Sequence, residues 1–183
     1  MYHIKADLRE QKTADLLIEA ARKQLRDPQG PTGNIAALCR ESGVSRSTFY
    51  RHFDDYDDVL RYIADLRFDD LLTKYEEHLK TCAEPVSPAR WYADWFQEYS
   101  REVVGLLRNG KGSLLIDSHI RGLAAHAEHL FPNMDPTSDE FYYFAYSRSY
   151  AAIGTLQAWL KTGRKATVDE LASYMEQQLK FLN

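Results

Sequence analysis

The sequence predicts an all-α fold in which a three-helix unit at the amino terminus precedes a larger helical body. Apolar residues recur every three or four positions through most of the 183 residues, which is the period of helices buried on one side. No segment shows the strict apolar and polar alternation that indicates a strand. Clusters of glycine, proline and asparagine separate the periodic segments. We place the two parts at residues 1–55 and 56–183.

The first helix is predicted over residues 12–26. Leu16, Leu17, Ala20, Ala21 and Leu25 form an apolar stripe there, and we expect this stripe to cover the two helices that follow. Residues 27–33 contain two prolines and two glycines, so this segment is predicted to be a loop.

Residues 34–53 predict two short helices joined by a tight turn, a helix-turn-helix. Asn34 and Ser45 can each accept a hydrogen bond from the free N–H groups at the start of a helix. Gly43 stands where the first of the two helices should end, since glycine adopts the left-handed conformation without steric cost. Phe49 and Phe53 share one face of the second helix and are expected to be buried.

The opposite face of this second helix carries only hydrogen-bonding and cationic groups, from Ser47, Thr48, Tyr50 and Arg51. Short hydroxyls and a guanidinium can reach base edges in the major groove, and a phenol can bond to a phosphate oxygen. The pattern therefore predicts a helix that reads DNA.

These segments resemble the DNA-binding signature of TetR/AcrR-type bacterial transcriptional regulators. The matching residues are Ser42-Gly43-Val44-Ser45, Thr48-Phe49-Tyr50, His52-Phe53, Ala20-Ala21 and Asn34, the last where the family usually has threonine. The resemblance covers roughly the first third of the chain, and the remainder is similar only in length and helical character. It implies an N-terminal DNA-binding domain and a C-terminal domain for ligand binding and dimerisation.

The residues and the resemblance together predict DNA contacts from Ser45, Arg46, Ser47, Thr48, Tyr50, Arg51, His52 and Tyr56. His52 could instead pack its ring against the next helix. Tyr56 stands where the family has a phosphate-binding lysine, and Asp54, Asp55, Asp57 and Asp58 surround it. Its phenol could replace that contact with a neutral hydrogen bond, whereas acids pointing the same way would repel phosphate.

The net charge of −4 is unevenly distributed. Residues 1–53 hold nine Lys and Arg against six Asp and Glu, and the rest holds 14 basic against 21 acidic residues. This distribution orients the positively charged residues 1–53, the head, towards a polyanion such as DNA. Because the excess of positive charge in the head is small, DNA affinity is expected to depend on dimerisation and on salt concentration.

Five further helices are predicted in the body, at residues 56–80, 88–107, 113–130, 138–161 and 168–182. The last two carry apolar stripes, formed on the penultimate helix by Phe141, Ala145, Ala152, Leu156 and Trp159 and on the final one by Leu171, Met175, Leu179 and Leu182. We expect this pair to form half of a four-helix bundle between two subunits, as in the resembling family. The alternative is that both stripes pack into their own subunit.

The resemblance also implies a small-molecule effector bound in the body. The residues predicted to line its pocket are Trp91, Trp95, Tyr99, His119, Tyr142 and Tyr146. Tryptophan and tyrosine combine an apolar ring with a polar tip, yet each could equally be a core residue. His119, His126 and His129 lack a completing ligand at metal spacing, so neither a metal nor a cofactor is expected.

The predicted function is a sequence-specific transcriptional regulator that binds a palindromic operator as a homodimer and releases it when an effector binds. Repression is the expectation taken from the family. The alternative is a helical interaction protein that kept the head but lost DNA binding. An enzyme is not expected, because no Gly-rich phosphate loop or nucleophile elbow is present. Without a signal peptide or a membrane-spanning stretch, the expected location is cytoplasmic.

Overall fold

The computed structural model describes residues 2–4, 8–27 and 33–180, including all side chains in these ranges except those of residues 9, 99, 100, 179 and 180. Within these ranges the chain forms nine α-helices and no strand, so the predicted all-α fold is confirmed. The helices are α1 (Leu8–Arg26), α2 (Ile35–Ser42), α3 (Arg46–His52), α4 (Tyr56–Thr81), α5 (Pro88–Arg108), α6 (Gly112–Ala125), α7 (Ala127–Leu130), α8 (Asp139–Lys161) and α9 (Val168–Lys180).

The helix-turn-helix forms by the local interactions that its sequence predicts. The Asn34 side chain accepts from the Ala37 N–H at 3.1 Å and begins α2. Gly43 ends α2 in the left-handed region, with a φ of 70°. The Ser45 hydroxyl then accepts from the Thr48 N–H at 3.1 Å and begins α3. Each cap satisfies a backbone group that the helix end leaves without an intrahelical partner.

Three predicted boundaries differ in the structure. α1 begins at Leu8, one turn earlier than predicted. The single helix predicted at 113–130 is two helices, because the chain leaves helical geometry at His126, whose ring bonds to Glu76 and Asp69 on α4. Gly112, which lies outside the helix predicted at 113–130, is the first residue of α6. Most of the predicted loop at 27–33, and residues 181–183 of the last predicted helix, lie outside the described residues.

One hydrophobic core runs through the amino-terminal unit and the body. It contains Leu17 and Phe49 of the unit, Phe68 of α4, Phe96 of α5 and Met175 of α9, all buried. α4 extends from the helix-turn-helix into the body and packs along α6, while α5 packs on α9 and α6 on α8. α4 therefore connects the head to the interior of the body.

A buried carboxylate joins α1 to the body. Glu102 on α5 accepts hydrogen bonds from Arg67 on α4 at 2.8 and 3.1 Å and from Arg26 on α1 at 2.6 Å. Arg22 on α1 lies 3.7 Å from the same carboxylate. Burial alone would raise the pKa of Glu102, but the arginine hydrogen bonds and charges outweigh it and hold the pKa below its ordinary value. We call these four residues the Glu102 cluster.

α1 and α5 also approach closely next to this cluster. A Cβ atom added at Gly105 would lie 2.3 Å from the Leu25 carbonyl oxygen, so only glycine allows this backbone separation.

The apolar stripes predicted for self-association pack within their own subunit. Leu171 and Met175 of α9, and Phe141, Ala145 and Leu156 of α8, are all buried in the core. The alternative interpretation is therefore correct for these five residues, and the side chains of Leu179 and Leu182 lie outside the described residues. The face of α8 that remains exposed carries tyrosines instead, among them Tyr142, Tyr143 and Tyr150.

Among the residues described, no helix is long and apolar enough to cross a membrane.

Candidate nucleic-acid interface and ligand cavity

The outward side of α3 presents six polar side chains, which we call the α3 surface: Ser45, Arg46, Ser47, Thr48, Tyr50 and Arg51. All are exposed except Thr48, which is half-buried. The Ser45 and Thr48 hydroxyls lie 2.9 Å apart, and Arg51 donates to Thr48 at 3.2 Å. These hydrogen bonds order the hydroxyls and the guanidinium along one side of the helix.

Tyr50 is held by its neighbour on the buried side of α3. Its ring packs edge-on against Phe49, with the centroids 5.2 Å apart, while Tyr50 remains 55% exposed. Since Phe49 is buried in the core, this contact restricts the orientation of the Tyr50 ring.

The structure corrects the predicted DNA contacts at His52 and Tyr56, because both side chains are buried. His52 is 2% exposed and Tyr56 is 5% exposed. The Tyr56 hydroxyl donates to the Gln24 side chain at 2.8 Å, and Gln24 donates to Glu41 at 2.9 Å. Burial raises the pKa of Tyr56 to about 12 and lowers the pKa of His52. Tyr56 therefore connects α4 to α1 and, through Gln24 and Glu41, to α2, and it is not available to contact phosphate.

The acidic run after α3 is engaged in intramolecular contacts. Asp55 caps α4 by accepting from the Asp58 N–H at 2.8 Å, and Asp58 accepts from the Asp54 N–H at 3.1 Å. Asp57 pairs with Lys111 at 2.6 Å. The carboxylates thus stabilise the positive end of the α4 dipole. These contacts hold the acids at the start of α4, which weakens the expectation that they repel phosphate and, with it, the alternative of a head that has lost DNA binding.

The body contains a cavity of about 420 Å³ lined by residues of α4, α5, α6, α7, α8 and α9, a size typical of small-molecule sites. Its lining is mostly apolar and comprises Leu72, Tyr75, Leu79, Pro88, Ala89, Tyr92, His119, Leu123, Leu130, Phe131, Phe144, Arg148, Ala151, Ala152, Met175 and Gln178.

A buried hydrogen-bond chain forms one wall of the cavity. The Tyr92 hydroxyl bonds to Nε2 of His119, and Nδ1 of His119 lies 2.8 Å from the Ser149 hydroxyl. Ser149 itself donates to the Ala145 carbonyl at 2.7 Å. Nδ1 of His119 must therefore donate to Ser149, and Nε2 accepts from Tyr92. Burial lowers the pKa of His119 to about 3 and raises the pKa of Tyr92, so both groups are neutral.

Of the five predicted pocket residues whose side chains are described, the structure places only His119 at the cavity. Trp91 packs on His78 and donates to the Leu71 carbonyl at 3.2 Å. Trp95 is buried against Phe68. Tyr142 and Tyr146 contact each other with tilted rings on the outer side of α8, with centroids 4.7 Å apart. The side chain of Tyr99 lies outside the described residues.

The fold is similar to that of a solved bacterial protein. The structure of the fatty acid degradation regulator FadR from Bacillus halodurans superposes with a TM-score of 0.52 at 13% sequence identity, over 93% of this chain and 94% of that one. At this identity the likeness shows the fold alone. No protein-family model matches the sequence, and comparison with curated proteins gave no match.

The sequence interpretation missed the residues that form the cavity wall on α8. Phe144 and Arg148 line the cavity, and neither was among the predicted pocket residues. One signal was present, since Arg148 is the only charged residue from Phe141 to Leu160. A lone cation in an otherwise uncharged helical segment is expected to have a specific role, because burying a charge is costly.

Proposed function

We propose that this chain is a TetR-type transcriptional regulator that binds a palindromic operator as a homodimer and is released by a small molecule bound in the body. The observation that carries the proposal is the α3 surface, an ordered set of hydroxyl and cationic groups on the second helix of a capped helix-turn-helix. Such a helix fits the major groove. The similarity in fold to a regulator supports a regulatory rather than an enzymatic role.

The proposed roles follow from position on α3. Arg46, Ser47 and Thr48 stand at the start of the helix, which is the part that reaches base edges in the major groove. Ser45, Tyr50 and Arg51 flank them and suit phosphate contacts, which set register without reading sequence. His52 and Tyr56 are omitted because they are buried.

Dimerisation is proposed through the exposed sides of α8 and α9. Three tyrosine rings contact one another in succession along α8, those of Tyr142, Tyr146 and Tyr150, with neighbouring centroids 4.7 and 5.8 Å apart. Tyr174 of α9 is half-exposed. Aromatic residues are enriched in subunit interfaces. A two-fold axis would present two α3 surfaces to successive major grooves, roughly 34 Å apart. Repression, by blocking access of polymerase, is the proposed outcome.

Release by an effector is proposed through α4. This helix begins at Tyr56 beside α3 and lines the cavity at Leu72 and Tyr75. A ligand that binds one packing of α4 and α6 more tightly shifts the heads towards that state by its differential affinity alone.

Electrophoretic mobility shift at fixed salt tests the DNA-binding role, with a palindromic fragment taken from beside the chain's own gene. Tyr50→Phe should weaken binding to all sequences, because it removes a phosphate contact. Thr48→Ala should relax selectivity at one base position, by about 1–3 kcal/mol. Tyr56→Phe serves as the matched control, since it removes a hydroxyl of the same type that is buried.

A regulator requires salt-sensitive, sequence-selective binding. If Tyr50→Phe and Thr48→Ala both leave operator affinity unchanged, the assignment of the α3 surface is wrong. Exchanging Tyr142 and Tyr150 for serine should convert dimer to monomer in light scattering and weaken operator binding. A wild-type chain that is strictly monomeric would contradict the proposed dimer.

A further inference from the structure

Among the described residues that line the cavity, Arg148 is the only one with a formal charge. Its side chain is half-buried and lies over the ring of Phe144, with Cζ 5.2 Å from the centroid. Both residues line the cavity. The guanidinium therefore faces a space whose other walls are mostly apolar.

Arg148 has no carboxylate partner among the residues described, unlike several other arginines of the body. Arg61 pairs with Asp58, Arg90 with Asp94, and Arg121 with Asp65. Burial lowers the pKa of Arg148, because desolvation disfavours the charged form and no neighbouring anion offsets it. Even partial burial of a cation without a counterion has a cost in free energy, and an anionic ligand would reduce this cost.

The other buried polar groups of the lining already have partners, whereas Gln178 is exposed and its amide is neutral. The Tyr92 hydroxyl bonds to His119, and the Tyr75 hydroxyl donates to the Val86 carbonyl at 3.3 Å. Both nitrogens of His119 are engaged as well. The guanidinium of Arg148 is thus the strongest donor that a ligand in the cavity can reach.

We propose that the cavity binds an amphipathic carboxylate, with its carboxylate on Arg148 and its apolar chain against the leucine, phenylalanine and methionine side chains of the lining. This inference rests on the proposed function and gives its effector a chemical class. A carboxylate matches the planar fork of a guanidinium and can accept two parallel hydrogen bonds. One guanidinium balances one negative charge, which favours a monoanion over a phosphate monoester with its charge of about −2.

Isothermal titration of the full-length protein at pH 7.5 with three ligands of equal chain length tests the proposal. The probes are decanoate, 1-decanol and decylammonium, each below its micelle concentration. Decanoate should bind about tenfold to a hundredfold more tightly than decanol, the range expected for a hydrogen bond between charged groups. Decylammonium should bind more weakly than either, because it brings a second cation towards Arg148. Equal affinities for decanoate and decanol in the wild-type protein would overturn the proposal.

Variants identify the charge responsible. Arg148→Met should abolish the preference for decanoate while leaving decanol affinity within about twofold, and Arg148→Lys should keep part of the preference. Arg164→Met is the matched control, because Arg164 also lies over an aromatic ring, 5.5 Å from the Trp159 centroid, but is exposed and away from the cavity. A decanoate preference that survives in Arg148→Met contradicts the assignment, and the wild-type ligand series decides the question even if that variant fails to fold.

The titration contains no DNA, so its result is independent of the operator assay. Intact operator binding without a decanoate preference overturns the ligand class only. A decanoate preference without operator binding overturns the regulatory role only.

Discussion

Replacing Glu102 with glutamine should destabilise the fold strongly. The Glu102 side chain is only 4% exposed and is the shared anion for Arg26 and Arg67. Glutamine removes the charge and turns one acceptor oxygen into an NH₂ group, which would face the Nε–H of Arg67 that now donates at 2.8 Å. Arg26 and Arg67 would then lose the carboxylate that they share at the junction of α1, α4 and α5.

The expected loss of stability depends on how deeply Glu102 and its arginine partners are buried. Removing one partner of a fully buried ion pair costs about 3–5 kcal/mol. Arg26 is about half-exposed, whereas Arg67 is 20% exposed, so water compensates part of the loss. We expect a decrease of about 2–3 kcal/mol in the free energy of unfolding. For a chain of this size this lowers Tm by about 4–12 °C.

Urea unfolding followed by far-UV circular dichroism measures the effect. Glu98→Gln is the matched control, because Glu98 lies on the same helix and is exposed. It should change stability by less than about 0.5 kcal/mol. If Glu102→Gln is as stable as this control, the Glu102 carboxylate does not stabilise the Glu102 cluster.

The pH dependence provides a second check. Because the pKa of Glu102 is lower in the folded state, its ionised form contributes stability above its ordinary pKa of 4.5, and this contribution is lost as pH falls through the folded value. The stability gap between the wild-type protein and Glu102→Gln should therefore narrow below about pH 4.5. A gap that stays constant down to acid unfolding would contradict this linkage.

Three further predictions concern the same architecture. Gly105→Ala should cost about 1–3 kcal/mol, because its methyl group would clash with the Leu25 carbonyl, whereas Gly154→Ala on open helix surface should be neutral or stabilising by up to about 1 kcal/mol. Equal effects in thermal unfolding would contradict the close α1–α5 approach. Tyr56→Phe should lower stability by about 1 kcal/mol in urea unfolding without changing the salt dependence of DNA binding, which a phosphate contact would change. His119 stays neutral when folded, so unfolding takes up a proton below its ordinary pKa of 6.5. Stability should fall as pH drops from 6.5, and His119→Gln should reduce that slope by up to about 1.4 kcal/mol per pH unit; an unchanged slope would show that His119 does not titrate on unfolding.

The Glu102 cluster and α4 together couple the head to the body. α1 is fixed to α4 and α5 through Glu102, while α4 is fixed to α1 and α2 through Tyr56 and Gln24. A ligand that shifts α4 at the cavity therefore acts on a head held at two points. The proposed effector response depends on this rigidity, since a loosely attached head would not follow α4.

Local sequence signals specify where α2, α3, α4 and α8 begin and where α2 ends, whereas they did not predict the start of α1 or the break between α6 and α7. Asn34, Gly43 and Ser45 act on backbone groups within three residues of themselves, and Asp55 and Ser138 cap α4 and α8 in the same way. The exposed polar face of α3 was also predictable, because the buried positions Phe49 and Phe53 fix its opposite side. These interactions are local, so neighbouring residues are sufficient to specify them.

Packing between helices determines the burial of the positions that local patterns did not predict. His52 and Tyr56 are both buried, and Tyr56 bonds to Gln24 on α1, a contact between distant parts of the chain that no local pattern encodes. On α8, Tyr146 stands two residues from Phe144 and from Arg148, and two residues correspond to about 200° around a helix. The tyrosine therefore lies outside while the other two line the cavity. A cavity lined by six helices depends on how each is rotated against the others, and that rotation is set by packing over the whole core.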